Sequence, residues 1–238
     1  MNPINKHIVL LILFLYQTIL FGQEGKYCLD FVREIEDQFY KIDLDNNTVY
    51  LHYYSEVTDW ENAIVKSDVK IYKNKEKLVF YSDKADIFKD LKEMLLVLRD
   101  QKTILRNGAP KDIDNIGYST EFNDLRTEFF KACVVTNCSK TEKDSIWKLV
   151  LKAPVDPTGI LFIDKIVYEY NISDRKILST YVEFRKDYKM KSMRISYLEF
   201  DPKSDFKFKN ESYKYVFDGS KKAYGKYLGY NIIDNRDK

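Results

Sequence analysis

The spacing of apolar residues along the chain changes from a helical to a strand period. Near the beginning, apolar residues recur every three or four positions, as on one face of an amphipathic helix. These residues are Cys28, Phe31, Val32, Ile35 and Phe39. The acidic stretch 43–47 interrupts the pattern, and from Thr48 onwards apolar and polar residues alternate. The sequence therefore predicts one helix followed by strands.

Alternating segments that are bounded by turn residues predict antiparallel strands. They cover 48–57, 63–73, 77–81, 145–153, 160–170, 176–185, 192–200, 212–217 and 226–233. The stretch 86–103 fits either a helix or a hairpin. We favour the hairpin, because Asp100-Gln101-Lys102 offers a turn between two apolar runs.

A second helix is predicted between two groups of strands. Ser119 or Thr120 offers an N-cap, and apolar residues at helical spacing then lead to Cys133. Those residues are Phe122, Leu125, Phe129 and Ala132. A single sheet of many twisted strands must curl or close. We therefore predict an α+β, mostly β fold: a curved antiparallel sheet or unclosed β-barrel of about ten strands, with two helices packed on its concave side.

The first 22 residues have the layout of a secretory signal peptide. Lys6 precedes an apolar run at 8–21, which is too short for a helix that must cross about 30 Å of hydrocarbon. Gly22 supplies the small residue after which such signals are cut. We predict cleavage near Gly22, a single β-rich domain at 23–238, and a periplasmic or secreted protein without a stable membrane anchor.

Three cysteines remain after this cleavage, and an oxidising compartment favours their pairing. Three different single bridges are open to them. Cys133 and Cys138 close the shortest loop, so we predict a disulfide between these two and a free Cys28 in the core. Their spacing matches neither a redox CxxC pair nor a zinc knuckle.

Charge and residue inventory exclude several classes of protein. The chain carries 39 basic and 37 acidic residues, intermixed along its length, so nothing in it recruits nucleic acid. His52 is the only histidine beyond the signal segment, which excludes a zinc site built on two or three histidines. The 8 glycines form no phosphate-binding loop. We therefore expect no enzyme activity, no cofactor and no metal.

The surplus of aromatic residues is the feature that could mark a function. The chain has 19 tyrosines and 15 phenylalanines, many of them on predicted strands. On the concave face of a half-open barrel they would line a pocket for a chain-like apolar ligand, or they would simply fill the core. Because strand side chains alternate, Leu51 and Tyr53 should share a face, as should Val69 and Ile71. These four residues are our candidate ligand-binding residues in the cavity wall.

Particular segments resemble a known group of envelope proteins. The signal end Leu20-Phe21-Gly22-Gln23, the strand at 65–72 and the hairpin at 94–105 look like envelope proteins of Bacteroidetes bacteria. More distantly, the order of elements is similar to the periplasmic outer-membrane lipoprotein carrier superfamily. This resemblance implies an unclosed antiparallel barrel, with helices across its opening and a hydrophobic cavity that holds acyl chains. The carrier proper has an arginine on an early barrel strand, whereas 48–57 here contains none and offers His52.

Two functions follow from these patterns. The first is a periplasmic binding protein for an apolar or lipid-like ligand, such as the acyl chains of lipoproteins. The second is a non-catalytic interaction or structural component of the cell envelope, in which the barrel is filled by its own side chains and the partner is an envelope protein. A continuous cavity would favour the first function, and a solid core would favour the second.

Overall fold

A computed structural model describes residues 25–37, 42–108, 129–141, 145–153, 162–219 and 222–236. Within them, helix α1 covers 25–37 and a short helical segment, α2, covers 129–132. The strands are β1 (Val49–Thr58), β2 (Ile64–Lys73), β3 (Leu78–Tyr81), β4 (Ala85–Lys89), β5 (Glu93–Leu98), β6 (Thr103–Gly108), β7 (Val134–Lys140), β8 (Ile146–Lys152), β9 (Ile163–Asn171), β10 (Lys176–Phe184), β11 (Ser192–Asp201) and β12 (Asn231–Asp234).

All twelve strands belong to one sheet, in the order β12-β6-β5-β4-β3-β2-β1-β11-β10-β9-β8-β7. Neighbouring strands are antiparallel except at the β12–β6 edge, where the pairing is parallel. The sheet is curved and open and does not close into a barrel. The predicted fold class is thus confirmed, with twelve strands in place of about ten and a mixed sheet in place of a purely antiparallel one.

The hairpin interpretation of 86–103 is confirmed, because β4, β5 and β6 follow one another as an antiparallel meander. The prediction of a strand at 212–217 is wrong, since Ser212–Tyr215 forms a 3-10 turn. The predicted strand at 226–233 is reduced to β12, which follows a second 3-10 turn at Gly225–Tyr227. The predicted signal peptide lies outside the described residues, as does most of the second helix. Neither described helix is long and apolar enough to cross a membrane.

A first hydrophobic cluster, the helix-side cluster, joins α1 and α2 to strands β8, β9 and β10. Helix α1 presents Cys28, Phe31, Val32 and Ile35 to it, all of them buried, as the helical spacing predicts. Gly25 of α1 lies against β7, and a Cβ at this position would lie only 3.2 Å from Val135. A Cβ there would therefore require the Val135 side chain to shift by a few tenths of an ångström.

A second cluster, the C-terminal cluster, joins strands β3 to β6 to the segment after β11, which we call the C-terminal segment (202–230). Its centre is Phe88, which is fully buried. The ring of Phe88 stacks on Tyr215 at a centroid distance of 4.8 Å and meets Tyr227 edge-on at 6.2 Å. The C-terminal segment is thus packed on the sheet mainly through aromatic rings.

The strand register places the two clusters on opposite faces of the sheet. Val182 of the helix-side cluster lies opposite Met193, and Met193 lies opposite Val57 of β1. Residues directly opposite in a sheet share a face, and successive residues alternate. We call this side the helix face. Two strands further on, Val79 and Phe88 of the C-terminal cluster point to the other side, which we call the C-terminal face.

The predicted disulfide between Cys133 and Cys138 is wrong. Cys138 is bridged to Cys28, with their Cα atoms 6.4 Å apart, and Cys133 is free. Residues 134–140 form an extended strand and not the turn that a bridge between Cys133 and Cys138 requires. Five residues of a strand span about 16 Å, whereas disulfides need Cα atoms within about 7 Å. The bridge therefore ties α1 to the β7 edge of the sheet.

Candidate functional site: an apolar row on the helix face

The four candidate residues from the sequence come together on one face of the sheet. Leu51 lies directly opposite Ile71, and Tyr53 lies directly opposite Val69, across the β1–β2 pair. All four point to the helix face, because Tyr53 is also opposite Tyr197, which packs against the helix-side cluster. Their common face is therefore as the alternation predicts. That they bind a ligand stays a prediction.

The register extends this apolar surface across four further strands. Ile71 is opposite Phe80, Phe80 is opposite Ile87, and the pairing continues through β5 to β6. Together the residues form what we call the apolar row: Leu51, Ile71, Phe80, Ile87, Leu96 and Leu105. Six strands at a spacing of about 4.8 Å make this row about 24 Å long. That length suits a chain-like ligand.

The members of the row differ in exposure from the residues of the two clusters. Leu51 is buried, whereas the other five are half-buried. None of the six belongs to either cluster formed by the described residues. On β5 the contrast is between neighbours, since Leu95 is fully buried in the C-terminal cluster while Leu96 is half-buried on the helix face. Apolar surface on the helix face is thus left partly accessible.

The chemistry of the row is that of a hydrocarbon surface. Its six side chains carry no polar atom, and they can therefore bind by exclusion of water and contact alone. Tyr53 borders the row, and burial raises the pKa of its hydroxyl, which stays neutral at physiological pH. A charged side chain, Lys89, lies on the same face between Leu78 and Met94 and is itself only 2% exposed.

The sequence analysis missed Phe80, Ile87, Leu96 and Leu105. The signal that could have found them is the run Met94-Leu-Leu-Val-Leu98, in which every residue is apolar and no polar residue alternates with them. Such a run is typical of a strand with both faces covered or occupied. Its two faces are indeed separate surfaces here, one in the C-terminal cluster and one in the apolar row.

Two pockets lined by described residues lie on the C-terminal face and not on the row. The larger, of about 390 Å³, lies between the C-terminal segment and strands β3 and β4. The smaller, of about 200 Å³, lies over β8 to β11 and is lined mainly by polar and charged side chains. Leu51, Tyr53, Val69 and Ile71 line neither of them.

His52 and two of the strand acids, Glu169 and Glu183, form ordinary pairs on the sheet surface. His52 Nε2 lies 2.6 Å from Asp68 Oδ1 on the C-terminal face. Glu183 of β10 forms an ion pair with Lys165 of the neighbouring strand β9. Glu169 accepts a hydrogen bond of 3.0 Å from Ser179. Among the described residues, no cluster of three or more histidine, cysteine, aspartate or glutamate side chains could hold a metal ion.

Comparison with known proteins gives structural neighbours only. No protein-family model matches the chain, and no curated protein matches it significantly. An uncharacterized conserved protein from Thermus thermophilus matches with 11% identity and a TM-score of 0.41, over 86% of this chain and 99% of that one.

One further neighbour carries a name that refers to lipoprotein sorting, and another is named as a LolA superfamily protein. A domain from Vibrio parahaemolyticus, described as an outer membrane lipoprotein-sorting protein, has 11% identity and a TM-score of 0.32, over 73% of this chain and 91% of that one. A LolA superfamily protein from Nitrosomonas europaea has 10% identity and a TM-score of 0.32, over 74% of this chain and 94% of that one. At these TM-scores we take no functional argument from the likeness.

Proposed function

We propose that this protein is a non-catalytic binding protein of the cell envelope that holds an apolar, lipid-like ligand on its helix face. The observation that carries the proposal is the apolar row. Six aliphatic or aromatic side chains on six adjacent strands lie in register, five of them half-buried, and none belongs to the cores formed by the described residues. The location rests on the predicted signal peptide.

The physical reason is the cost of leaving such a surface in water. Contiguous apolar surface on a soluble protein marks a ligand or partner site more often than an accident of packing. A bound acyl chain would remove this surface from water at about 25 cal/mol for each Å² buried. The ligand would need no hydrogen bond from the row, which offers none. An acyl chain of a lipid or lipoprotein has this chemistry.

One observation favours the alternative, an envelope interaction protein whose sheet is filled by its own side chains. Leu51 is 8% exposed and Val69 is 4% exposed, so two of the four candidate residues are already buried without a ligand. If the whole row closes in solution in the same way, no acyl chain can enter. Ligand binding itself distinguishes the two functions.

The test is binding of a fluorescent fatty acid to the purified mature chain. We expect saturable binding by the wild type and loss of about 100-fold in affinity for Leu96→Asp, because an unpaired carboxylate beside an acyl chain costs several kcal/mol. Lys70→Asp is the matched control, since Lys70 is exposed and neighbours Ile71 on the other face of β2. Its affinity should equal that of the wild type.

A second variant separates loss of the site from loss of the fold. Leu96→Trp keeps the row apolar but fills it, and it should weaken fatty-acid binding while circular dichroism and thermal melting show a folded protein. No saturable binding by the wild type would overturn the proposal and favour the interaction protein. An equal loss in Lys70→Asp and Leu96→Asp would also overturn it.

A further inference from the structure

The larger pocket on the C-terminal face has a composition unlike that of the apolar row. Its wall consists of three lysines, six aromatic residues and Gly225, all of them described, and none of these ten residues is acidic. The lysines are Lys207, Lys209 and Lys226. Its volume of about 390 Å³ is that of a site for a small molecule. Strands β3 and β4 form its floor through Tyr81 and Phe88.

The charges around the pocket leave an excess of positive charge at its floor. The carboxylate of Asp86 is fully buried and accepts hydrogen bonds from Arg99 at 2.5 Å and from Lys226 at 3.0 Å. Two cations thus share one anion. The hydroxyl of Tyr227 donates a further hydrogen bond of 2.7 Å to the same carboxylate, which adds no charge.

Lys209 adds a second positive charge, and the described groups that hold it in place are neutral. Its ammonium donates to the Lys214 carbonyl at 2.8 Å and to the Tyr224 hydroxyl at 2.9 Å. It also lies 5.1 Å above the ring of Tyr215. Lys207 is exposed at the pocket wall. The pocket is therefore cationic and pre-organised, a combination that attracts an anion.

The aromatic residues of the pocket indicate the shape and polarity of the uncharged part of the ligand. Four of them are half-buried or exposed and offer ring surfaces, with hydroxyl groups on the tyrosines: Tyr81, Phe206, Tyr215 and Tyr224. Phe88 and Tyr227 are buried and form the base of the pocket. Burial raises the pKa of Tyr81 to about 12, so that its hydroxyl stays protonated and can donate a hydrogen bond. A sugar ring presents both an apolar face and several hydroxyls, and an acidic sugar adds the carboxylate that the lysines favour.

We propose that this pocket binds an acidic sugar, with its carboxylate at Lys207 and Lys209 and its ring against the tyrosines. The site lies on the opposite face of the sheet from the apolar row. Sugar binding here does not depend on fatty-acid binding at the row, and either can be present without the other. The ligand is either the free sugar or a unit of an acidic polysaccharide, since both present the same carboxylated ring. The geometry requires only that one ring enters.

The test is isothermal titration of the mature chain with glucuronate and with a short polyglucuronate, which separates the free sugar from the polymer unit. Glucose, acetate and benzoate serve as probes for the ring, the carboxylate and an aromatic anion. We expect glucuronate or its oligomer to bind at least tenfold more tightly than these three. Lys207→Gln should weaken that binding about fivefold, and Lys207→Gln with Lys209→Gln more than 20-fold.

Lys203→Gln is the matched control, because Lys203 is an exposed lysine of the same segment that does not line the pocket. Its affinity should equal that of the wild type, and all variants should keep the wild-type thermal melting curve. The proposal is overturned if neither glucuronate form gives saturable heat, if benzoate or glucose binds as tightly, or if Lys203→Gln loses as much affinity as Lys207→Gln.

Discussion

The two halves of the sheet are covered on opposite faces and by different means. Over β8 to β10 the cover is helix α1, on the helix face. Over β3 to β6 the cover is the C-terminal segment, on the C-terminal face. Each half therefore keeps one face that its own cluster does not occupy: the apolar row on β1 to β6, and a strip with Lys148, Lys165 and Arg194 on β8 to β11.

The two covers also differ in what holds them. Helix α1 is attached through aliphatic and aromatic contacts, the disulfide from Cys28 and a hydrogen bond of 2.7 Å from Tyr168 to Glu36. The C-terminal segment is attached through aromatic stacking and through buried carboxylates of the sheet, Asp86 and Asp90. A covalent tie tolerates changes of pH, whereas buried carboxylates respond to them.

Partial cover of each face leaves parts of the sheet where ligands could bind. A sheet whose faces were both covered along its whole length would be a solid core, without room for a site. Among the described residues, helix α1 packs on β8 to β10 on one face and the C-terminal segment packs on β3 to β6 on the other. The remaining surfaces differ in chemistry: the apolar row lies on the helix face, and mainly polar and charged side chains lie over β8 to β11 on the C-terminal face.

The largest effect should come from the disulfide that ties α1. Cys28→Ser with Cys138→Ser removes a bridge with a sequence separation of 110 residues. The chain-entropy model gives about 4.7 kcal/mol of lost stability for a loop of roughly 100 residues. Denaturant unfolding in oxidising buffer measures this loss.

Cys133→Ser is the matched control for the disulfide. Cys133 is free, and burial raises the pKa of its thiol, which stays protonated at neutral pH. Its replacement should change the free energy of unfolding by less than about 1 kcal/mol. Non-reducing peptide mapping that finds Cys133 joined to Cys138 would contradict the structure directly.

The next effect should come from the buried carboxylate beneath the C-terminal segment. Asp86→Asn removes the buried anion that Arg99, Lys226 and Tyr227 share, and the loss of hydrogen bonds to an ionised group should cost about 3 kcal/mol of stability. Hydrogen exchange should rise across the C-terminal segment more than in α1. Asp100→Asn, at an exposed position, should leave both unchanged. Equal exchange in the two covers would mean that they unfold as one unit.

Adjacent leucines of β5 give the sharpest comparison between the faces. Leu95→Ala should lower the free energy of unfolding by about 3 kcal/mol, because Leu95 is fully buried in the C-terminal cluster. Leu96→Ala, on the half-buried helix face, should cost about 1 kcal/mol. Fatty-acid binding should fall only in Leu96→Ala. If Leu96→Ala lowers the stability more than Leu95→Ala and fatty-acid binding falls only in Leu95→Ala, the row is part of the hydrophobic core and not a binding surface.

The sequence pattern correctly predicted strands in which one face is buried. It gave the wrong secondary structure where long-range contacts determine the backbone conformation. Alternation located β1, β2, β8, β10 and β11 to within one residue at each end, and the start of β9 to within three. By contrast, 212–217 is as aromatic as a strand, yet Tyr215 turns to stack on Phe88 and the backbone coils into a 3-10 turn. Tertiary packing overrides the local β preference there.

The sequence predicted only the part of the candidate site that depends on local alternation. Alternation assigned Leu51, Tyr53, Val69 and Ile71 to one face, because that property is local. The extension of the row to Leu105 depends on the register of four successive hairpins, which the sequence alone did not give. The pairing of Cys28 with Cys138 depends on how α1 packs on the sheet, and loop length could not predict it.

The smallest effect should be a pH dependence that belongs to the C-terminal cover alone. Burial by itself would raise the pKa of the Asp90 carboxyl, but hydrogen bonds from the backbone N–H groups of Ser212, Lys92 and Glu93 outweigh it and hold the pKa below its usual value. The stability that Asp90 contributes is therefore present above the pKa of the unfolded chain, about 3.9, and is lost as the pH falls through the lower pKa of the folded protein.

Asp90→Asn should thus lower the free energy of unfolding by about 1–2 kcal/mol at pH 7, since the hydrogen bonds of an ionised group are lost. The difference from the wild type should shrink as the pH falls below about 4, because the carboxyl is then protonated first in the unfolded chain and at still lower pH in the folded protein. Asp205→Asn, an exposed change on the same segment, should follow the wild type at every pH. Urea unfolding at pH 7, 5 and 3 measures all three proteins. The ionised carboxylate accepts stronger hydrogen bonds from the three N–H donors than the protonated form does. If the free energies of unfolding of wild type and Asp90→Asn differ by the same amount at pH 3 as at pH 7, the ionised carboxylate does not hold the segment.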